Sequence, residues 1–429
     1  MSNNIFIMRR LQKLIIATAA LLFATGAGNF ASAQLGLFGG VKPGIEVLRD
    51  NHFKELKGKR IGLVTNPTGV DSDLNSDIDI LYKAPEVKLV ALYAPEHGVR
   101  GNAYAGAEVT DQRDSTTGLP VYSIFGKNRK PSAEMLKGID ALVFDIQDIG
   151  CRSYTFVSTL GLIMEAAAEN NKEVYVLDRP NPLGGERVEG NLVDTGYTSF
   201  VSQFKIPYLY GLTLGELAQM LNGEKMLKDG EQCKLTVIPM KGWHRDMLYE
   251  DTKLPWVLPS PHIPQIVNAY YYPVSGILGE LGYISEGVGY TLPFQLFAAE
   301  WIEPQEFSRE MNALKLKGLE FRPIYFTPFY GAHNGQNMGG VQVFITNYKK
   351  ARLVEVQFYA MQVLAKMYPD RKTFECCNKQ RFSMFDVVCG TKYIREKFSE
   401  RYEWKDVKSF FEKDEAAFKE LSKKYYLYK

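Results

Sequence analysis

Ala141-Leu142-Val143-Phe144-Asp145-Ile146 runs straight into Gln147-Asp148-Ile149-Gly150-Cys151-Arg152. A short apolar run that stops at a polar, glycine-containing cluster reads as a strand buried on both faces, as in a parallel sheet. Three more stretches repeat the pattern. Residues 60–65 end in Asn66-Pro67-Thr68-Gly69, and residues 87–93 lead to Pro95-Glu96-His97-Gly98-Val99-Arg100-Gly101. Residues 173–177 lead to Asp178-Arg179-Pro180-Asn181-Pro182. Open α/β sheets bind ligands beyond the carboxyl ends of their strands. If the four runs are neighbours, Glu96, His97, Arg100, Asp148, Arg152, Asp178 and Arg179 meet on one rim.

Outward from these strands, residues 42 to about 240 alternate strand-like and helix-like segments, the pattern of a sheet with crossover helices. Leu160, Ile163, Met164 and Ala167 mark one helical face. Thr213-Leu214-Gly215-Glu216 has capping-box spacing, so a helix begins there, and residues 235–240 read as a further strand. Residues 254–264 (LPWVLPSPHIP) carry four prolines, which excludes regular helix or central strand and marks a rigid junction. Beyond it, residues 340–345 are strand-like and 353–367 helical. The C-terminus reads as a helix striped by Phe411, Phe418, Leu421 and Tyr425. The expected fold is α/β: a Rossmann-like, mostly parallel domain over 42–265 and a smaller α+β domain over 266–429, with the active site in the cleft between them.

The first 33 residues read separately. Arg9, Arg10 and Lys13 precede an apolar stretch over 14–24 and an Ala31-Ser32-Ala33 cleavage signal, the layout of a secretory signal peptide. Its removal turns a formal charge of +2 into −1. The expected product is an exported protein, periplasmic or secreted, without a membrane span once the signal is cut. A near-neutral surface gives no electrostatic case for nucleic acid. Five cysteines at irregular spacing make no disulfide framework; Cys376 and Cys389 can pair, or all can stay as free thiols. Nothing in the sequence fixes the oligomeric state.

The rim residues admit paired readings. Glu96 suits a general acid, because burial raises a carboxyl pKa; equally it can cap its loop or pair with Arg100. Asp145 and Asp148 flank one strand end and can split their pKa values, or serve as buried partners. Arg152 and Tyr154 can clamp an anionic or hydroxylated ligand, or Arg152 can pair with Asp148. Asp178, Arg179 and Asn181 sit among prolines that fix side-chain directions, as sugar binding needs and as a sharp structural turn also needs. Trp256 and His262, with Tyr270, Tyr271 and Tyr272 behind them, offer aromatic faces to a sugar or fill a core. Glu286, between Ser285 and Gly287, is a possible partner for Glu96. His333 reads as a loop histidine. Glycine-rich phosphate cradles, a serine-hydrolase elbow and paired histidine ligands are all lacking, so no metal and no organic cofactor are expected.

Taken together, the Asn66–Gly69, Pro95–Gly101, Asp145–Gly150, Arg152–Thr155 and Asp178–Pro182 motifs resemble those of the NamZ-type exo-β-N-acetylmuramidases. So do Leu254-Pro255-Trp256, Ser260-Pro261-His262-Ile263-Pro264, Ser285-Glu286-Gly287 and the terminal Tyr425-Tyr426-Leu427-Tyr428. The likeness spans the chain after residue 33 in order. It implies a glycoside hydrolase with a Rossmann-like domain and a smaller C-terminal domain, releasing N-acetylmuramic acid from peptidoglycan-derived saccharides. It also implies Glu96 as catalytic glutamate, with Glu286 or Asp148 as second carboxylate. The expected substrate contacts are Asn66, His97, Arg100, Arg152, Tyr154, Asp178, Arg179, Asn181, Trp256 and His262. One departure is visible: Val288 stands where the family's S-x-G stretch continues with arginine. If that arginine holds the lactyl carboxylate, Arg100, Arg152 or Arg179 must replace it here. The rivals are a non-catalytic carbohydrate-binding protein and an esterase using Ser153.

Overall fold

The computed structural model describes residues 40–101 and 112–429; the signal segment expected at 1–33 lies outside them. Seven strands, β1 (Arg60–Thr65), β2 (Lys88–Ala94), β3 (Gln112–Arg113), β4 (Pro120–Ser123), β5 (Ala141–Asp145), β6 (Glu173–Leu177) and β7 (Lys234–Ile238), form one sheet ordered β3-β4-β2-β1-β5-β6-β7. Every pairing is parallel except β3 with β4. The four expected strands are therefore adjacent, as β2-β1-β5-β6. From β1 the chain builds first toward β2 and β4, then returns to add β5 on the other side. That reversal puts the switch point between β1 and β5, where Thr65 pairs with Asp145.

Helices cover both sheet faces. Against one face, α1 (Gly44–Asp50) and α2 (Asp77–Lys83) bury Ile45, Leu48, Ile78 and Leu81 on Ile61, Leu63, Val143 and Tyr175. On the other, α3 (Phe156–Glu169) and α4 (Leu214–Gly223) bury Leu160, Ile163, Leu217 and Leu221 on Val64, Leu142, Phe144 and Val176. Successive strand side chains point to opposite faces, so a sheet covered twice needs apolar residues at every position. Each such buried side chain is worth roughly 1.5–3 kcal/mol. The α4 capping box forms as its spacing predicts: Thr213 Oγ1 accepts from Glu216 N at 3.2 Å, and Glu216 returns the contact at 3.1 Å.

The second region holds α5 (Ile266–Gly279), β8 (Leu296–Ala299), α6 (Pro304–Ala313), β9 (Leu319–Phe326), β10 (Met338–Ile345) and α7 (Val356–Met367). The short helices α8 (Thr373–Cys376), α9 (Phe382–Cys389), α10 (Tyr393–Arg401), α11 (Lys405–Glu412) and α12 (Glu415–Ser422) follow. Its three strands are antiparallel in the order β8-β10-β9. Its core around Phe297, Phe358 and Trp404 continues into Ile149, Cys151 and Tyr208 of the first region. The two regions thus share apolar packing.

One expectation fails here, and one open alternative is decided. The C-terminal stripe is not one helix: α11 stops at Glu412 and α12 starts at Glu415. The break lets Phe411 enter the second core while Phe418 enters the first, which a straight helix would not reach. The Cys376–Cys389 pair does not form. Cys376 is exposed and Cys389 buried, and all five cysteines are free thiols. Among the described residues no helix is long and apolar enough to cross a membrane.

Candidate active site

Glu96 follows β2 by two residues and is half-buried. Its Oε2 accepts a hydrogen bond from Thr155 Oγ1 at 2.9 Å. Thr155 precedes α3, so the Glu96 carboxyl group sits at the start of that helix. The turn beyond is tight. His97 has φ 74° and Gly98 φ 78°, and a histidine in the left-handed region is a strained feature of the kind found at working sites.

Tyr154 stands beside this carboxylate. Its ring meets Phe156 edge-on at 5.1 Å and Tyr272, from α5, at 5.8 Å. Burial raises its hydroxyl well above the usual phenol value, with Ser260, Asp148 and Glu96 all nearby. His262 stacks on Tyr330 at 6.1 Å, and burial together with nearby His97 holds it below the ordinary imidazole value. Both regions therefore contribute to one wall: Glu96, His97, Tyr154 and Thr155 from the first, Ser260, His262, Tyr272 and Tyr330 from the proline-rich junction and beyond.

At the switch point, Gln147 N donates to Thr68 Oγ1 at 2.8 Å, and Thr68 donates to Asn66 Oδ1 at 2.5 Å. Asp148 Oδ2 accepts from Gly150 N at 2.7 Å and Tyr210 Oη at 2.5 Å. Burial outweighs these donors and lifts the Asp148 carboxyl to about 6. Asn66 Nδ2, Gln147 Oε1 and Asp148 Oδ1 are buried without a protein partner among the described residues. Each unmatched buried group costs about 1–3 kcal/mol, and such groups are rare outside functional regions.

Several residues expected at the rim are built into the fold instead. Arg152 is fully buried: it donates to Ser202 Oγ and to the carbonyls of Asn191, Ile206 and Val388 at 2.6–3.2 Å. Its guanidinium joins the two regions and is turned away from the rim. Arg179 grips Asp145 through two bonds, at 2.5 and 3.0 Å, and reaches Val70 O. Asp178 accepts four: from Arg179 N, Gly215 N, Thr213 Oγ1 and Tyr428 Oη. Asn181 bonds Leu212 O and Leu183 N. All four side chains are buried and hydrogen-bonded to protein partners; Arg179 and Asn181 still border small cavities at the switch point, one of them beside Asp148. Arg100 is fastened to Asp114 at 2.9 and 3.1 Å but is exposed. Of the three cations expected to stand in for the missing arginine, it alone keeps an open side.

Trp256 packs edge-on against Tyr249 at 4.9 Å and donates to Ile263 O, as a core-filling aromatic does. Glu286 lies against Gly279 at the end of α5, near Glu280 and Arg381, with burial raising its carboxyl to about 7. Ser153 bonds two tyrosines, Tyr208 Oη at 2.9 Å and Tyr272 Oη at 3.2 Å. A nucleophilic serine needs an adjacent base, and these phenols hold their protons, so the esterase reading fails. His333 bonds Gln336 within its own loop at 3.0 Å. No cluster of three or more metal-ligating side chains occurs among the described residues.

Thr155, Tyr210 and Tyr330 were not singled out by sequence reasoning. Thr155 lies inside a quoted motif, yet only the fold shows that it faces Glu96. Tyr210 and Tyr330 carry no local signal.

A parallel sheet with a glutamate and an aromatic wall beside its switch point, completed by a second region, is the architecture of a two-domain α/β enzyme. The family described as exo-β-N-acetylmuramidase NamZ matches twice, its N-terminal part over residues 61–267 and its C-terminal part over 270–428. The chain belongs to this family, and by homology it is a glycoside hydrolase. It is 43% identical over 388 residues to the peptidoglycan β-N-acetylmuramidase NamZ of Bacillus subtilis (strain 168), covering 90% of this chain and 91% of that protein. A crystal structure of a DUF1343 family protein (BF0371) from Bacteroides fragilis NCTC 9343 has TM-score 0.88 and 60% identity, covering 91% of this chain and 99% of that one. A second from the same organism (BF0379) has TM-score 0.73 and 31% identity over the same shares.

Proposed function

We propose that the protein removes a terminal β-linked N-acetylmuramic acid from peptidoglycan-derived saccharides, with Glu96 as general acid. The observation that carries the reading is the Thr155–Glu96 contact: a half-buried carboxyl group, held by Thr155 at 2.9 Å, stands beside an aromatic wall at the strand-ending edge of the sheet. Glu96 donates a proton to the departing glycosidic oxygen, a step worth about 10²–10⁴-fold. A second carboxylate supports the positive charge that develops at the anomeric carbon or activates water. Glu286 is the more exposed choice; Asp148 is the one whose neighbours include Tyr154. His97 and His262 supply hydroxyl and acetamido contacts, and Arg100 supplies a cation.

The test is a chromogenic β-N-acetylmuramide beside the matching β-N-acetylglucosaminide. Cleavage of the muramide, abolished by Glu96→Gln with binding largely kept, is the expected result. Cleavage of the glucosaminide alone overturns the substrate assignment. Saccharide binding without turnover in the native chain would instead favour a carbohydrate-binding protein. Export belongs to the same proposal; its check is whether the cell-derived protein begins just after Ala33.

A further inference from the structure

A cavity of about 870 Å³ lies on the flank of the first region, between α3, the loop at 198–205 and the segment after α4. Phe200 and Phe204 line it, with Arg129 lying over the Phe200 ring at 4.3 Å. Its charges are unbalanced. Glu165 shares Lys130 with Glu169, and Glu224 pairs with Lys424 and accepts a hydrogen bond from the Tyr425 hydroxyl. Arg129, Lys205, Lys225 and Lys228 have no carboxylate partner within ion-pair distance among the described residues. Four cations without a carboxylate partner stand around the partly exposed Phe200 ring, while Phe204 is buried in the core beneath, so the cavity suits an anionic ligand.

The cavity is connected to the active-site edge by two elements. Phe125 follows β4, whose end bonds to β2 through Ile124 N and Ala94 O at 2.9 Å, and its ring lies 6.3 Å from that of Phe200. Along α3, Leu162 and Glu165 face the cavity while Thr155 holds Glu96. Seven residues of helix separate Thr155 from Leu162, about 10 Å at 1.5 Å per residue. An oligosaccharide whose end is at Glu96 must span at least this distance to meet the flank.

We propose that this cavity is a remote subsite for the distal part of an acidic oligosaccharide, sugar faces resting on Phe200 and carboxylates meeting Arg129 and the lysines. The inference rests on the muramidase reading for its ligand class. The test is the double variant R129E/K205E, whose residues lie outside the reacting centre. Two substrates are compared, the chromogenic single-sugar muramide and a peptide-free acidic oligosaccharide from peptidoglycan. The variant raises KM for the oligosaccharide by about tenfold, the loss of roughly one charge-assisted contact, with kcat unchanged and the single-sugar substrate unaffected. Equal effects on both substrates, or no effect on either, overturn the subsite. Calorimetric titration of the oligosaccharide into both proteins, each carrying Glu96→Gln, separates the two claims. Weaker binding in the variant without muramide turnover by the native enzyme would keep the subsite and remove the muramidase. Equal affinity for the oligosaccharide and its carboxyl-methylated form would remove the subsite alone.

Discussion

Tyr428, one residue from the C-terminus, donates its hydroxyl to Asp178 Oδ2 at 2.6 Å, tying the end of the chain to the end of β6 across 250 positions. The tail is held twice more, by Arg245 N to Lys429 O at 2.9 Å and Leu427 N to Glu216 Oε1 at 2.9 Å. The last residues therefore belong physically to the first sheet. Removing the Tyr428 hydroxyl leaves a buried acceptor short of one donor, so Tyr428→Phe should destabilise the protein by about 1–3 kcal/mol in urea unfolding. An unchanged midpoint would contradict the clamp.

The same aspartate makes stability depend on pH. Burial, opposed by its donors, lifts Asp178 to about 7, well above its unfolded value. A raised acid pKa means the native state holds a proton that the unfolded chain has released. Its contribution is complete below about pH 4 and fades as pH rises toward 7. Asp148 and Glu286, raised to about 6 and about 7, act in the same direction. Thermal unfolding between pH 5 and 8 should show stability falling with pH, and Asp178→Asn should flatten that slope whatever it does to the absolute value. A slope identical in both proteins would be the contrary result.

Arg152 separates folding from function. Its four hydrogen bonds run to three backbone carbonyls and a serine, one of them 236 residues away. Arg152→Met leaves buried carbonyls unmatched, each costing about 1–3 kcal/mol, so the loss should appear as several kcal/mol in denaturant unfolding. Any residual folded enzyme should keep the native KM. A stable variant with a sharply raised KM would restore Arg152 to the substrate site.

The strand endings were legible because a sheet covered on both faces forces apolar runs that stop where the backbone leaves it. The roles of the residues after them were not. Arg179 and Glu96 both follow such runs, yet Arg179 turns into the fold to meet Asp145 while Glu96 stays at its edge. Sequence cannot separate the two, since the deciding partner lies far along the chain: Asp145 for Arg179, Tyr428 for Asp178, Val388 for Arg152. The edge strands β3 and β4 escaped notice for a different reason. Short and partly exposed, they need no continuous apolar run. The C-terminal stripe misled because 3.6-residue spacing cannot say that Phe411 and Phe418 enter different cores.

Thr155 offers the sharpest test of the site, because its hydroxyl makes the Glu96 contact but no side-chain cap for α3. Thr155→Val keeps the shape and leaves the helix start as it was, so the melting temperature should stay nearly constant. The loss of one hydrogen bond to a charged group, about 1.5–3 kcal/mol, weakens the hold on that orientation of the carboxyl group. If that orientation is needed only as the glycosidic bond breaks, kcat should fall by roughly tenfold to a hundredfold with KM little changed. Thr155→Ser, which retains the donor, should recover most of the rate. Unaltered kinetics on the chromogenic muramide in the valine variant would show that the contact does not position Glu96 for proton transfer.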